Sequence, residues 1–327
     1  MLVAVLLFIV GLVLLIKGGD WFVDGATGIA HRFHVPELLI GATVVSIGTT
    51  LPEVMVSATS AVSGHPQIAY GNAIGSVICN TALIAALTIT VKPSPVDRKS
   101  FKTPVMFFFL AAVFYIVNAY AFGEFTRLSG AILLLMFIVY IALQVRNAIK
   151  HPEAVVVEEI EEEDKEPGKE NPFWKDILLL VIGAALIAVG ADLLVDNGTI
   201  IAKGLGVPES VIALTFVALG TSLPELVTAI TALAKGHGAL SLGNVVGANM
   251  FNLVLVCGLS ILLKPFNVPV EKTLAGMNAS LVVDIPVMMF VMLLLTVPTL
   301  IKGKLERYQG IILLIAYAAF CGFQFIA

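Results

Sequence analysis

Two acidic residues in apolar surroundings are the groups of this sequence with the clearest chemical consequence. Glu53 and Glu225 each end a Gly-Thr-Thr/Ser-Leu-Pro-Glu hexapeptide, 17 residues after Pro36 and Pro208, which begin the two apolar segments. That depth places both carboxylates well inside the hydrocarbon of a bilayer, where an isolated charge costs at least about 2.5–3.5 kcal/mol. Neither segment contains a Lys, Arg or His. We therefore expect a bound cation or a proton at each carboxylate.

Further oxygen atoms surround the two acids. Pro52 and Pro224 lack a backbone donor, so carbonyl groups of the preceding turn lose their helical partners. Carbonyl, hydroxyl and carboxylate oxygens together suit hard cations such as Ca2+ and Na+. Transition metals would favour His or Cys, and the three cysteines are far apart without metal-type spacing. The hydroxyl groups of the hexapeptides belong to Thr49, Thr50, Thr221 and Ser222.

A second pair of motifs adds amides and one more hydroxyl. Asn72, Ser76 and Asn80 are spaced by four residues, so they share one helix face. Their counterparts later in the chain are Asn244, Ala248 and Asn252. A polar stripe of this kind in a membrane helix should face the bundle interior or a wet cavity. The glycines of these motifs also fit close helix packing, and the prolines also fit simple kinks.

Hydropathy defines the elements that must position these groups. The chain is 58% hydrophobic and only 13% charged, which indicates an integral membrane protein rather than a soluble domain. Ten apolar runs are long enough, or nearly so, to cross about 30 Å of hydrocarbon. The predicted fold class is all-α with ten transmembrane helices, at 2–16, 36–61, 71–91, 104–120, 128–145, 177–195, 208–233, 241–263, 285–301 and 309–327.

The ten spans form an internal repeat. A shift of 172 residues places Glu53 on Glu225 and Asn80 on Asn252 without a gap, and the later spans align at shifts of 182 and 180. Because each half has five spans, the second copy must enter the membrane upside down, an arrangement typical of secondary transporters with a midplane site. The predicted domains are a first repeat at 1–147, an acidic linker at 148–175 and an inverted second repeat at 176–327.

Loop charges predict the orientation. Most Lys and Arg residues lie on one side of the ten spans, and this side should be cytoplasmic. We therefore expect a multi-pass protein of the cell membrane with both termini outside and the acidic linker in the cytoplasm. The aspartates near the ends of the first and sixth spans are interpreted as interfacial or helix-terminal groups: Asp20, Asp24, Asp192 and Asp196.

The paired motifs resemble a known family. GTTLPE at 48–53 with GNAIGSVICN at 71–80, and GTSLPE at 220–225 with GNVVGANMFN at 243–252, are similar to the two repeats of the sodium/calcium exchanger family, within the calcium:cation antiporter superfamily. The resemblance covers the whole transmembrane core and points to a prokaryotic-type member. It implies alternating access, with Ca2+ bound by Glu53 and Glu225 and by the carbonyls of Thr49 and Thr221. For Na+ it implies the Ser46 carbonyl, Thr50 and Ser76 in one half, and the Ala218 carbonyl and Ser222 in the other.

Two positions depart from the family pattern. Asn252 stands where some prokaryotic and potassium-dependent members have Asp, so potassium coupling is not expected. Ala248 stands where a serine hydroxyl is expected as a Na+ ligand. Asn80 and Asn252 complete the predicted ion-binding set.

The predicted function is secondary active exchange of Ca2+ for Na+. The alternative is a Ca2+/H+ exchanger that uses the same carboxylates, because protons also neutralise them. A passive cation channel fits discontinuous helices in inverted repeats less well, and no nucleophile–base pair or histidine set indicates an enzyme. We expect no cofactor, only the transported ions Ca2+ and Na+, or H+ in the alternative. The expected partners are membrane lipid and small cations, without nucleic acid or an obligate protein partner.

Overall fold

The computed structural model describes residues 2–150, 172–205, 220–270 and 273–326 of the chain. Helices dominate these ranges, with two short two-stranded pairs in the loops. The helices, numbered α1 to α10, are Leu2–Arg32, Glu37–Val62, Pro66–Val91, Arg98–Phe122, Arg127–Lys150, Phe173–Gly204, Leu223–Ala234, Gly238–Leu263, Ser280–Lys302 and Arg307–Ile326. The strands are β1 Glu124–Phe125, β2 Phe266–Asn267, β3 Thr273–Leu274 and β4 Met277–Asn278.

Within these ranges, eight helices are long and apolar enough to cross a bilayer. Helix α7 is the described part of the seventh predicted span, and α10 has 20 residues at the position of the tenth. The predicted all-α fold with ten transmembrane helices is therefore confirmed. Most of the acidic linker, and residues 208–219 of the seventh span, lie outside the described residues.

The first and sixth helices are longer than predicted. Helix α1 continues past residue 16 to Arg32, and α6 runs from Phe173 to Gly204. The four aspartates therefore lie inside helices, and describing them as helix-terminal was wrong. Lys235 Nζ lies 2.8 Å from Asp24 Oδ1 and 3.5 Å from Asp20 Oδ1, so these two aspartates have an ion-pair partner. Hydropathy locates the lipid-facing part of a helix, whereas backbone hydrogen bonding continues beyond the hydrocarbon.

Glycine contacts between α1 and α6 show how the two repeats are related. A Cβ atom on Gly11 would lie 2.8 Å from the carbonyl oxygen of Gly190, and one on Gly18 would lie 2.9 Å from that of Gly183. The repeat aligns Gly11 with Gly183 and Gly18 with Gly190. Gly11 therefore packs on the counterpart of Gly18, and Gly18 packs on the counterpart of Gly11. Such exchange of partners requires antiparallel helices related by a pseudo-two-fold axis in the membrane plane. The backbone contacts between α1 and α6 therefore show the inverted relation of the two repeats.

Loop pairing repeats the same symmetry on the two membrane faces. Glu124 pairs with Asn267 between β1 and β2, and Pro95 pairs with Lys304 in an isolated bridge. The repeat aligns Glu124 with Lys304 and Pro95 with Asn267. Because α4 separates Pro95 from Glu124, equivalent pairs lie on opposite faces. The face with Arg32, Lys92 and Lys235 is called the basic face below.

Irregular turns interrupt the helices nearest the acids. Helices α3 and α8 contain equivalent π-helical segments, Asn80–Ala85 and Asn252–Val256, and α2 contains another at Gly41–Val45. Such segments often occur at functional sites. The expected break near Pro224 is present, since α7 begins at Leu223 after a turn at Thr221 and Ser222. Near Pro52 the helix continues from Ser46 to Val62, so the two equivalent prolines have different local structures.

The start of α4 gives a test of pH-dependent stability. Asp97 caps this helix by accepting hydrogen bonds from the backbone N–H groups of Lys99 and Ser100, both at 3.1 Å. Burial raises the pKa of Asp97, but the bonds from Ser100 and Lys99 outweigh it, so the pKa lies below its usual value. Asp97→Ala should lower the free energy of unfolding at pH 7 by about 1 kcal/mol. Thermal unfolding of the purified protein in detergent measures this.

The pH dependence has a defined sign. A lowered folded-state pKa means that the carboxylate stabilises the fold above the unfolded Asp pKa of about 3.9. This stabilisation is lost as the pH falls through the folded pKa. The difference between wild type and Asp97→Ala should shrink over that range, whereas Asp97→Asn, which keeps a capping oxygen, should retain most of the stability at pH 7. A pH-independent difference would contradict the capping role.

Candidate ion-binding site

The two acids lie at the centre of the helix bundle. Glu53 and Glu225 are fully buried, each nine residues before the end of its helix, at Val62 and Ala234. At about 1.5 Å per residue this places each carboxylate roughly 13 Å inside its helix end. The two side chains are close enough to repel each other electrostatically. Helices from both repeats therefore bring the two acids together.

No described residue neutralises either carboxylate. Within the described part of the chain, all four carboxylate oxygens lack a hydrogen-bond partner, and no Lys, Arg or His forms an ion pair with them. Paired buried carboxylates without a counter-charge are strongly unfavourable in a low-dielectric region. The geometry thus meets the electrostatic requirement for cation binding.

Three symmetric pairs of predicted ligands contain unpartnered polar groups. Six of the predicted ligands are buried with side-chain oxygens that make no hydrogen bond to any described residue. The repeat aligns them as three pairs, Thr50 with Ser222, Glu53 with Glu225, and Asn80 with Asn252. Buried polar groups in proteins are nearly always bonded, so each exception needs an explanation. One explanation covers all three pairs, namely a ligand at the pseudo-two-fold axis.

Hydrogen bonds between the repeats hold the two hexapeptides in place. Thr49 Oγ1 donates to Asn244 Oδ1 at 3.2 Å, and Thr221 Oγ1 donates to Asn72 Oδ1 at 3.2 Å. These are equivalent bonds, because the repeat aligns Thr49 with Thr221 and Asn72 with Asn244. Each threonine therefore uses its hydroxyl group for this bond, and its backbone carbonyl takes no part in it. The polar stripe of α3 and α8 therefore faces the other repeat, inside the bundle.

Each acid also lies near hydroxyl groups of the other repeat. Hydroxyl groups of Thr49 and Thr50 lie near the Glu225 carboxylate, and that of Thr221 lies near the Glu53 carboxylate. None of these hydroxyls reaches hydrogen-bonding geometry with a carboxylate oxygen. Each acid therefore faces hydroxyl groups of the opposite repeat.

The remaining predicted ligands have different positions. Ser46 is buried, and its hydroxyl donates to the carbonyls of Gly41 at 2.7 Å and Asn244 at 3.0 Å. Ser76 is buried one turn beyond Asn72 on α3. Ala218 lies outside the described residues. The described chain has no cluster of three or more His, Cys, Asp or Glu residues suited to a resident metal.

Two buried polar groups inside the bundle were missed from sequence. Asn249 Nδ2 donates to Thr81 Oγ1 at 2.7 Å and contacts Met292 Sδ at 3.2 Å, inside the bundle. Thr228, three residues after Glu225, is fully buried, and its hydroxyl has no partner among the residues that the structure describes. Neither position has a polar counterpart, since the repeat aligns them with Val77 and Val56. A search for polar groups that differ between the repeats would have found both.

Comparison with known proteins places this architecture in a family. The family model described as sodium/calcium exchanger protein matches residues 3–146 and 175–326. The chain belongs to this family. Membership in the sodium/calcium exchanger family makes it a multi-pass membrane protein and a cation antiporter, not an enzyme.

Relatives of similar length support the assignment to the sodium/calcium exchanger family. The sodium/calcium exchanger MaX1 of Methanosarcina acetivorans is 31% identical, over 96% of each chain. The putative antiporter CaxA of Alkalimonas amylolytica is 36% identical, over 100% of this chain and 99% of the relative.

Solved structures of a family member have the same fold. The sodium-calcium exchanger NCX_Mj soaked with 10 mM Na+ and 10 mM Sr2+ superposes with a TM-score of 0.81 at 34% identity, covering 97% of both chains. The same exchanger soaked with 2.5 mM Na+ and 0.1 mM Ca2+ gives a TM-score of 0.81 at 33% identity, covering 98% of this chain and 97% of that chain.

Proposed function

We propose that this antiporter exchanges Ca2+ for Na+ at one site between the two repeats. The observation that supports this most directly is the pair of buried carboxylates, Glu53 and Glu225, whose four oxygens make no hydrogen bond to any residue that the structure describes. One Ca2+ balances both charges, and Na+ ions balance them in its absence. The hydroxyl groups near the two carboxylates supply further oxygen atoms, which suit both ions.

The proposed ligands follow the pseudo-symmetry of the site. Ca2+ binds to Glu53 and Glu225 and to the backbone carbonyls of Thr49 and Thr221, whose hydroxyls are occupied by the asparagines. Na+ binds to the same acids with groups from both repeats. These groups are the Ser46 carbonyl, Thr50, Ser76 and Asn80 in the first repeat, and the Ala218 carbonyl, Ser222 and Asn252 in the second.

Exchange follows from the charge of the empty site. If the site changed its accessibility from one membrane face to the other without bound ions, two unpaired carboxylates would lie in the low-dielectric centre of the bundle during the change. That state is unfavourable. Loading by Ca2+ or by Na+ removes the penalty. The site therefore changes access only when it is occupied, which couples the two ion fluxes.

The orientation is proposed from the charges. Lysine and arginine side chains of loops resist translocation, so the basic face is the cytoplasmic face. Both termini then lie outside, and the acidic linker at 148–175 lies in the cytoplasm. Lipid surrounds the bundle, and no further partner is required for exchange.

Ion-gradient experiments test the coupling ion. Radiolabelled Ca2+ uptake is measured in proteoliposomes loaded with Na+, and in matched vesicles that contain choline and an imposed pH gradient. Uptake that requires internal Na+ is expected. Uptake driven by the proton gradient alone would replace the proposal with Ca2+/H+ exchange, and uptake that needs neither gradient would indicate a channel.

A further inference from the structure

The two halves of the site differ in their hydroxyl groups. Ser76 lies one turn beyond Asn72, whose Nδ2 donates to the Glu53 carbonyl oxygen at 3.3 Å. The second repeat has Ala248 at the equivalent position, fully buried and without a hydroxyl. The second repeat therefore lacks a buried hydroxyl that the first repeat has at the equivalent position.

The second repeat has an extra hydroxyl elsewhere. Thr228 lies three residues after Glu225 on α7, on the side toward the basic face, and is fully buried. Residues at this spacing are neighbours on one helix surface. The equivalent residue of the first repeat is Val56, which has no hydroxyl. The second repeat therefore lacks a hydroxyl at Ala248 but has one at Thr228, which the first repeat does not have.

The Thr228 hydroxyl is not used by the helix. Buried threonines in helices commonly donate to the carbonyl three or four residues earlier. Seven other described threonines do so, at 27, 43, 59, 88, 90, 296 and 299. Thr228 makes no such bond and has no other partner in the described chain. An unbonded buried hydroxyl destabilises the ion-free protein, so a structural role does not explain it.

We propose that Thr228 is a Na+ ligand on the basic-face side of Glu225, where its oxygen replaces the one absent at Ala248. This inference rests on the proposed Na+/Ca2+ exchange and adds a residue to it. The Na+ ion near Glu225 is held closer to the basic face than its counterpart near Glu53. Ca2+, held by both carboxylates, depends less on this hydroxyl.

Thr228→Val tests the proposal because it keeps the shape and removes the oxygen. Thermal unfolding of the purified full-length protein is followed in choline buffer without Na+ or Ca2+, and then in titrations with each ion. Without ions the variant should be as stable as wild type or more stable, since no bond is lost. The Na+ midpoint should rise by about five- to tenfold, with a much smaller change for Ca2+.

Matched variants make the result specific. Thr296→Val removes a buried hydroxyl that bonds the Met292 carbonyl, and it should leave the Na+ midpoint unchanged. Thr228→Ser keeps an oxygen and should retain the wild-type midpoint. Adding Ala248→Ser to Thr228→Val should restore Na+ binding, because it returns a hydroxyl to the second repeat.

Two outcomes would overturn the assignment of Thr228. A wild-type Na+ midpoint in Thr228→Val, or a loss of ion-free stability without a change in the midpoint, would make the hydroxyl structural. In either case the wild-type response to Na+ would still stand, and the proposed exchange with it. If wild type itself shows no response to Na+, both the exchange and the Thr228 ligand fail.

Discussion

Replacing either Glu53 or Glu225 by glutamine is expected to abolish Ca2+ transport and to weaken Ca2+ binding by about 100-fold or more, roughly 3 kcal/mol. Both side chains are fully buried, and their four carboxylate oxygens have no partner in the described chain. Each substitution removes half of the negative charge and leaves one carboxylate to balance a divalent ion. Isothermal titration and radiolabelled Ca2+ uptake measure the two effects.

The same variants should be more stable than wild type without ions. Removing one charge relieves the repulsion between the two acids and one buried unpaired anion. Saturating Ca2+ stabilises a protein by about 2.7 kcal/mol at 100 times its dissociation constant. This Ca2+-dependent rise in melting temperature should be present in wild type and absent in both variants.

An exposed acid provides the control. Glu124 lies in the loop strand β1, outside the bundle, and its substitution by glutamine makes the same chemical change. Glu124→Gln should bind and transport Ca2+ as wild type does. Normal Ca2+ flux in Glu53→Gln or Glu225→Gln would remove the basis of the proposed site.

Gly243→Ala should have the largest effect on folding. Helix α8 crosses the start of α2 in backbone contact at this residue. A methyl group there would overlap the Leu38 carbonyl oxygen and lie 2.9 Å from its carbonyl carbon. Since both contacts are with backbone, the two helices must separate, at a cost of about 3 kcal/mol or more. Loss of monodisperse protein in detergent and a lower melting temperature are the expected observations.

A second glycine on the same helix provides a control that distinguishes the effect of steric overlap from the effect of replacing glycine by alanine. Gly238 is the first residue of α8, and a methyl group there would lie 3.7 Å from Ser94 Oγ, an ordinary contact. Gly238→Ala should therefore leave the melting temperature near that of wild type. Equal loss in both variants would show that overlap with Leu38 is not the cause.

Several features were predictable because they depend on local sequence. Long apolar runs identify the membrane helices, and an ungapped repeat of five spans requires an inverted second copy. Acids without cationic neighbours in apolar segments indicate an ion site. The symmetric positions of Glu53 and Glu225, and of Asn80 and Asn252, follow from the alignment of the repeats.

Helix ends were less predictable. The predicted first span stops at residue 16, but α1 continues to Arg32, because Asp20 and Asp24 are accommodated by Lys235 from a distant loop. Near Pro52 and Pro224 the same motif gives a continuous helix in one repeat and a turn in the other. Interactions with other helices decide such cases, and local periodicity does not contain them.

The sequence by itself determined the membrane fold, the duplication and the identity of the two acids, since hydropathy, repeat alignment and charge are properties of each segment. Only the tertiary structure decided how the repeats share one site. Thr49 bonds Asn244 and Thr221 bonds Asn72 across the bundle, so each half supplies groups to the other. It also left Thr228 buried without a partner among the described residues, which no local pattern indicates. These contacts join residues about 150 to 195 positions apart, and they exist only because antiparallel packing brings the two halves together around one pseudo-two-fold axis.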